Sequence, residues 1–340
     1  MRTIFITGGA GFIGSAFVRL LLEEISDGTI VNFDLLTYAG TLDNLAGIDE
    51  ARHRFVHGDI ADPQAVAAAL PRGADAIINF AAESHVDRSI ASADDFLRTN
   101  VVGTQTLLDA ARAAGVKRFV QVSTDEVMGS LPENDSAFFT EDSPFAPNSP
   151  YSASKAAAEH LVRAAHHTFG LDTVVTRCGN NYGPRQFPEK FLPLAIANAL
   201  ADQEIPVYGD GLNVRDWIYV EDHCRAIMAV VEKGEPGAVY NIGARNTWRN
   251  LEVVESLLDA LGKPRSLIRF VKDRPGHDRR YAIDPSRIES ELGWRPRETW
   301  QSGLAKTIEW YVENAQWIRN RRDPAFRDYY RVQYGTEVGD

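Results

Sequence analysis

Short β-branched runs alternate with longer stretches of helical period along the first half of the chain. Residues 2–8 (RTIFITG) read as a strand and residues 12–24 (FIGSAFVRLLLEE) as a helix. Further strands are expected at 29–34, 54–59, 75–82, 117–123 and 172–178, with helices around 62–70, 94–114 and 151–168 between them. That alternation predicts an α/β fold: a doubly wound parallel sheet with helices on both faces. After about residue 179 the pattern loosens. Loops rich in Gly, Pro and Asn separate helices near 190–202, 222–233, 250–261 and 285–293, and 239–243 (VYNIG) reads as a strand returning to the sheet. The expected division is interleaved, with 1–178 and 214–243 forming the sheet domain and 179–213 and 244–334 a smaller, mixed α/β C-terminal domain. The aromatic and basic stretch 316–334 reads as a C-terminal segment packed on that smaller domain.

Glycines mark the first turn. Gly8, Gly11 and Gly14 follow the first strand and open the first helix. A glycine turn in that place lets the backbone approach a pyrophosphate seated on the helix N-terminus. Asp34 ends the second strand, 20 residues after Gly14. A carboxylate there accepts hydrogen bonds from an adenosine ribose and repels a 2′-phosphate, which favours NAD over NADP. Asp59 and Ile60 close the third strand, where an Asp can cap an adenine amino group. Phe80, Ala81, Ala82, Glu83 and Ser84 close the fourth, with small residues where a cofactor would pass.

A second cluster carries proton chemistry. Tyr151 and Lys155 stand four residues apart at the start of a helix, with Ser149 as its cap and Pro150 in its first turn. That spacing puts both on one face, where the ammonium lowers the phenol's pKa. Ser123 and Thr124 close the strand upstream, and Asp125 and Glu126 follow directly. Hydride transfer needs only the tyrosine, so the extra carboxyl pair suggests a further acid/base step. Exposed loop carboxylates or helix caps are the other reading.

Composition narrows the partners. Apolar residues make up 44% of the 340, which suits a folded globular protein and rules out disordered or collagenous chains. Lys and Arg number 36 against 47 Asp and Glu, a net charge of −11 that disfavours binding to a nucleic-acid backbone. Two cysteines, Cys178 and Cys224, form no CxxC or zinc spacing and read as buried thiols in a reducing compartment. His166 and His167 lack carboxylate partners, so no metal site is expected. The N-terminus lacks a signal-peptide pattern, and no stretch of about 18 apolar residues exists to span a membrane. A cytoplasmic location is the expectation.

Taken with the glycine turn, Tyr151, Lys155 and Thr124 resemble the extended short-chain dehydrogenase/reductase superfamily and its Rossmann-like domain. The longer strings resemble one family within it, the dTDP-glucose 4,6-dehydratases, over residues 1 to about 334. The strings are TGGAGFIGS (7–15), DLLTYAG (34–40), AAESHVDRSI (81–90), STDEV (123–127), SPYSASK (149–155), NNYGPRQFPEK (180–190), VRDWIYVEDH (214–223) and DRPGHDRRYAID (273–284). One position departs: Met128 stands where an aromatic residue is usual, a matter of local packing because no acid/base role attaches to it.

The resemblance implies a lyase that removes water from dTDP-glucose to give a 4-keto-6-deoxy sugar, with NAD retained as a regenerated cofactor. Tyr151 then takes the C4 hydroxyl proton, Thr124 holds that hydroxyl, Glu126 takes the C5 proton and Asp125 protonates the departing C6 hydroxyl. Phe12, Ile13, Leu35, Thr37, Thr99 and Asn181 join the cofactor contacts. Ser84, His85, Asn180, Lys190, Phe191, Asn250, Arg274, His277 and Tyr281 join the substrate contacts, Arg215 lies near the diphosphate, and Pro206, Val207 and Tyr208 lie along the base. The helices near 94–114 and 151–168 imply a homodimer through a four-helix interface. A UDP-galactose 4-epimerase shares the tyrosine and cofactor but has no use for the Asp-Glu pair. A GDP-mannose 4,6-dehydratase would favour NADP, and a sugar-nucleotide decarboxylase needs a carboxylate site. A non-catalytic nucleotide-binding regulator has no reason to keep Thr124, Tyr151 and Lys155.

Overall fold

In a computed structural model of the chain, which describes residues 2–133 and 136–335, seven parallel strands form the main sheet. They are β1 (Arg2–Thr7), β2 (Gly28–Asp34), β3 (His53–His57), β4 (Ala76–Asn79), β5 (Phe119–Thr124), β6 (Thr173–Cys178) and β10 (Val239–Ile242), in the order β10-β6-β5-β4-β1-β2-β3. The strand order reverses between β1 and β4, the switch point at which a doubly wound sheet opens a ligand crevice.

Both faces of this sheet are covered, which is why its strands read as almost continuous apolar runs. On one face lie helices Phe12–Glu24, Val220–Lys233 and Ser286–Leu292, packed through Phe17, Ile227 and Ile288. On the other lie Pro63–Ala69, Thr104–Ala114 and Pro150–Phe169, packed through Val66, Leu107 and Val162. Burying one such side chain contributes roughly 1.5–3 kcal/mol before entropy is counted.

The smaller unit holds two short sheets. β7 (Asn180–Tyr182), β9 (Val214–Tyr219) and β11 (Thr247–Arg249) form one, in the order β11-β9-β7. β8 (Ile205–Tyr208) and β12 (Ile268–Val271) pair in parallel as the other. Residues 214–219 thus lie in a small sheet, and the chain rejoins the main sheet only at β10. Helices Phe191–Leu200, Asn250–Leu261 and Trp300–Glu313 close this unit around Tyr182, Trp217 and Trp300.

Two segments differ from the sequence expectation. The helix expected over 94–114 is π-helical from Leu97 to Gly103, and the wider turn carries Asn100 inward to Ser154 Oγ at 2.9 Å and to the backbone of Glu83. The C-terminal stretch forms helices Ala315–Arg321 and Pro324–Tyr334. They pack on the smaller unit through Phe326 and Tyr330 but also reach across, where Arg321 Nη2 donates to Thr41 Oγ1 at 2.8 Å. Among the described residues no helix is long and apolar enough to cross a membrane.

Candidate active site

The carboxyl ends of β1, β2, β4, β5 and β6 open into one cleft, and every residue expected to face the dinucleotide lines it. The turn from β1 into helix Phe12–Glu24 forms its floor. A Cβ on Gly14 would stand 2.2 Å from Gly8 O, so no side chain fits there. Gly11 differs: a Cβ there would meet only Gly8 O, at 3.3 Å. The space above Gly11 therefore belongs to the cleft. Gly11 is also the N-cap of a 13-residue helix with no side-chain cap and no acidic residue in its first turn. Its free N–H groups and positive dipole end suit a diphosphate.

Asp34 is buried at the end of β2, with Oδ2 accepting from Ala10 N and Oδ1 from Leu36 N, both at 2.8 Å. Burial pushes its carboxyl up and the two N–H groups oppose that. Each oxygen keeps a second lone pair for a ribose hydroxyl. Leu35 and Thr37 follow it along the rim, and Asp59, Ile60, Phe80, Ala81, Ala82, Ser84 and Thr99 complete the wall. Asp59 Oδ1 accepts from Ala61 N at 2.8 Å, and its Oδ2 pairs with Arg98. These features fit a dinucleotide with a free 2′-hydroxyl.

Thr124, Asp125, Glu126, Tyr151 and Lys155 meet at the inner end of the same cleft. The Tyr–Lys helix starts where the sequence places it, with Ser149 and Ser152 forming a reciprocal cap. Lys155 Nζ donates to Val122 O at 2.7 Å. Burial brings this lysine down to about 8, with Glu159 opposing. Against the expectation that Lys155 lowers it, the Tyr151 phenol is held well above its ordinary value by burial, raised further by Glu126 and Cys178 and lowered by the Thr124 hydroxyl.

The carboxyl pair is split. Burial, then Glu126 and Asp216, hold Asp125 well above the usual carboxylate range. Burial also raises Glu126, but Arg274, Arg215 and Lys190 all pull it back down. Both carboxyls are thus raised, Asp125 the further, which suits Asp125 as the acid of the pair and Glu126 as the base. Met128 is buried, with its sulfur 3.6 Å from Arg177 Nη1, and Arg177 pairs with buried Glu159 at 2.9 Å. The thioether fills the space beside that ion pair.

A second cleft adjoins the first, sharing Ser84, Glu126, Asn180, Asn181 and Lys190 with it. Every residue expected to touch the sugar nucleotide lines this cleft, except Thr124, which lies in the first, and Val207. Val207 is fully buried in the core beneath. It alternates inward while Pro206 and Tyr208 face the cleft, as period-two strand geometry requires. Lys190 Nζ donates to Ser84 O at 2.7 Å. Arg215 donates to Val214 O at 2.7 Å and Asp278 O at 2.9 Å, and its guanidinium lies 4.3 Å from the Tyr281 ring centre. Arg274 pairs with Asp87 at 3.6 Å. His277 Nδ1 lies 2.6 Å from Asp273 Oδ1, and burial with Arg274 and Arg215 brings its pKa down to about 4. His85 is buried, and its Nδ1 meets no partner among the described residues. Phe191 and Asn250 complete the expected wall.

The sequence reading did not single out Asp87, Glu189, Gln186, Trp217 or Tyr334, all of which line the second cleft. The first four sit inside the motif strings, and Glu189 directly precedes Lys190. Tyr334 comes from the C-terminal helix and carries no local signal.

Fold and site together define an enzyme of the extended short-chain dehydrogenase/reductase class, with a cleft at the switch point opening into a second lined by Lys190, Arg215 and Arg274. A family model described as GDP-mannose 4,6 dehydratase matches residues 5–307. The dTDP-glucose 4,6-dehydratase of Xanthomonas campestris pv. campestris (strain B100) is 52% identical over 96% of this chain and 98% of its own. That of Salmonella typhimurium (strain LT2) is 49% identical over 97% and 98%. The crystal structure of DesIV, a dTDP-glucose 4,6-dehydratase from Streptomyces venezuelae with NAD and TYD bound, superposes with a TM-score of 0.91 at 52% identity, covering 94% of this chain and 100% of that one. The chain belongs to the dTDP-glucose 4,6-dehydratase family.

Proposed function

We propose that the enzyme converts dTDP-glucose to dTDP-4-keto-6-deoxyglucose and water, with NAD held throughout. The observation that carries this reading is the unequal carboxyl pair beside the Tyr–Lys pair: burial raises both, Asp125 well above the usual carboxylate range, while Arg274, Arg215 and Lys190 oppose the rise at Glu126. An epimerase needs only the tyrosine.

The bound NAD supplies a hydride acceptor for C4 and a hydride donor for C6. Tyr151 takes the proton from the C4 hydroxyl while Thr124 holds that oxygen, and Lys155 below its pKa of about 8 favours the phenolate. The C4 ketone acidifies C5–H. Glu126 accepts the C5 proton and Asp125 gives its proton to the C6 hydroxyl as water leaves. The C4 and C5 hydrogens are removed in different ways, so C5 regains its hydrogen from solvent through Glu126. Lys190, Arg215 and Arg274 face the diphosphate.

The proposed division of labour is 1–178 with 214–243 for the dinucleotide and 179–213 with 244–334 for the sugar nucleotide, except that strand β9, paired with β7 and β11, belongs with the sugar-nucleotide part. The proposed homodimer is supported by exposed Leu97 and Val102, 51% and 52% accessible on the helical segment that carries Thr99. Large apolar side chains exposed this far suit a second copy. The charge balance and reducing thiols suit the cytoplasm. The direct test is incubation with dTDP-glucose followed by alkali, which develops the chromophore of a 4-keto sugar. No chromophore with dTDP-glucose contradicts the proposal.

A further inference from the structure

Three hydrogen bonds run in one direction beneath the catalytic loop. His223, on helix Val220–Lys233, is fully buried, with Nδ1 2.8 Å from Asn181 Oδ1. Asn181 Nδ2 lies 3.1 Å from Gly179 O and 3.3 Å from Cys178 Sγ. Cys178 Sγ lies 3.4 Å from Ser123 O.

The polarity of the chain follows from groups that can only accept. Gly179 O fixes the amide nitrogen of Asn181 on its own side, so the amide oxygen faces His223. That oxygen accepts, so His223 carries its proton on Nδ1. Nε2 is left with a lone pair, and no partner meets it among the described residues. Ser123 O accepts, so the Cys178 thiol donates. Burial supports these states, bringing His223 down to about 3 and the thiol up to about 12. Both N–H groups of Asn181 are spent within the protein, so only its oxygen lone pair remains for a ligand.

The far end of the chain is the end of β5. Ser123 directly precedes Thr124, Asp125 and Glu126. Val122 O, one residue earlier, accepts from Lys155 Nζ. The last two carbonyls before the catalytic loop are therefore held from separate elements. We propose that His223 is a positioning residue, which acts through Asn181 and Cys178 to hold the end of β5 so that Thr124, Asp125 and Glu126 keep their places against Tyr151 and Lys155. This rests on the functional reading above. It assigns a role to a side chain that touches neither substrate nor cofactor.

The test uses His223→Leu, which removes the donor and keeps apolar bulk, and His223→Asn, which returns an N–H near the place of Nδ1. Cys178→Ala breaks the chain further along. A displacement of about 1 Å near the chemistry can cost on the order of 100-fold in rate. His223→Leu is expected to lower kcat roughly 10- to 100-fold, with KM for dTDP-glucose and NAD content unchanged. His223→Asn recovers most of that loss. The double variant His223→Leu/Cys178→Ala falls no further than the worse single, because both act along one chain. Nitrogen-15 NMR of the holoprotein, with the His223 signal assigned by its loss in His223→Asn, shows a neutral Nδ1–H imidazole across the neutral range. If His223→Leu does not fold, the cycle is run with His223→Phe, which also lacks the donor, and Cys178→Ala. An Nε2–H tautomer, a folded His223→Leu with unchanged kcat, or multiplicative losses in the double variant overturns the positioning role. A parent that makes no 4-keto sugar contradicts the functional reading instead, and the tautomer then still reports on the hydrogen-bond chain.

Discussion

Asp125 accepts the Thr124 hydroxyl on Oδ1 at 3.3 Å and leaves Oδ2 buried with no partner among the described residues. A buried carboxyl oxygen with nothing to bond is costly unless it is protonated or meets a ligand. Here it sits in the cleft that also holds Glu126 and Tyr151. One side chain thus positions a hydroxyl and presents a proton.

Glu126→Gln tests the base. The C4 oxidation depends on Tyr151 and Lys155, so it survives, while elimination stalls. Turnover is expected to fall about 10²–10⁴-fold, the usual contribution of a general base. The near-ultraviolet absorbance of reduced nicotinamide should rise when substrate is added and persist. Parent-like turnover in this variant would remove Glu126 from the role.

Gly11 and Gly14 should answer differently to the same substitution. Gly14→Ala drives a methyl to 2.2 Å from Gly8 O, so the turn itself must shift and stability drops. Gly11→Ala meets only one protein atom, at 3.3 Å, and should fold with little change in Tm. Its methyl occupies the floor where a diphosphate would lie. The variant is expected to purify without dinucleotide, whereas the parent, denatured and analysed, releases NAD. NAD retained at the parent level in Gly11→Ala would place the cofactor elsewhere.

The pH profile of kcat/KM has two predicted limbs. Lys155 is charged below about 8 and loses its proton above that, so support for the phenolate fades on the alkaline side. Glu126 has a raised pKa, so it becomes protonated and fails as a base at a higher pH than an ordinary glutamate. The result is a bell whose acidic limb lies higher than an ordinary glutamate would set it. An acidic limb that is unchanged in Glu126→Gln would assign it to another group.

Leu97→Glu with Val102→Glu should convert a dimer to a monomer in sedimentation velocity. Both side chains are about half exposed in one copy, so the substitutions need not disturb the core. A parent that is already monomeric, or an unaffected dimer, counts against this face.

The glycine turn, Asp34 and the Tyr–Lys pair were legible because each is a local pattern, fixed by one strand–helix junction. The cation triad was legible only through the longer strings, since Lys190 precedes helix Phe191–Leu200, Arg215 sits on strand β9 and Arg274 comes from a distant loop. Tyr334 was not legible: a helix that packs on the smaller unit looks the same in sequence whether or not its end reaches a cleft. The π-helical turn at Leu97–Gly103 keeps near-helical spacing and leaves no trace in the apolar pattern. Residues 214–219 have the apolar character of a main-sheet strand because Trp217 and Ile218 are buried. Periodicity cannot say which sheet a buried strand joins.

The central claim is that one hydride moves from C4 to C6 within a single active site, while C5 exchanges with water. The measurement is the fate of deuterium placed at C4 of dTDP-glucose, read by mass spectrometry and NMR of the product. The account predicts deuterium at C6 when the reaction runs in ordinary water, and solvent hydrogen at C5. Solvent-derived hydrogen at C6 would contradict it, as would label retained at C4, and retention at C4 with inverted stereochemistry would point to epimerisation.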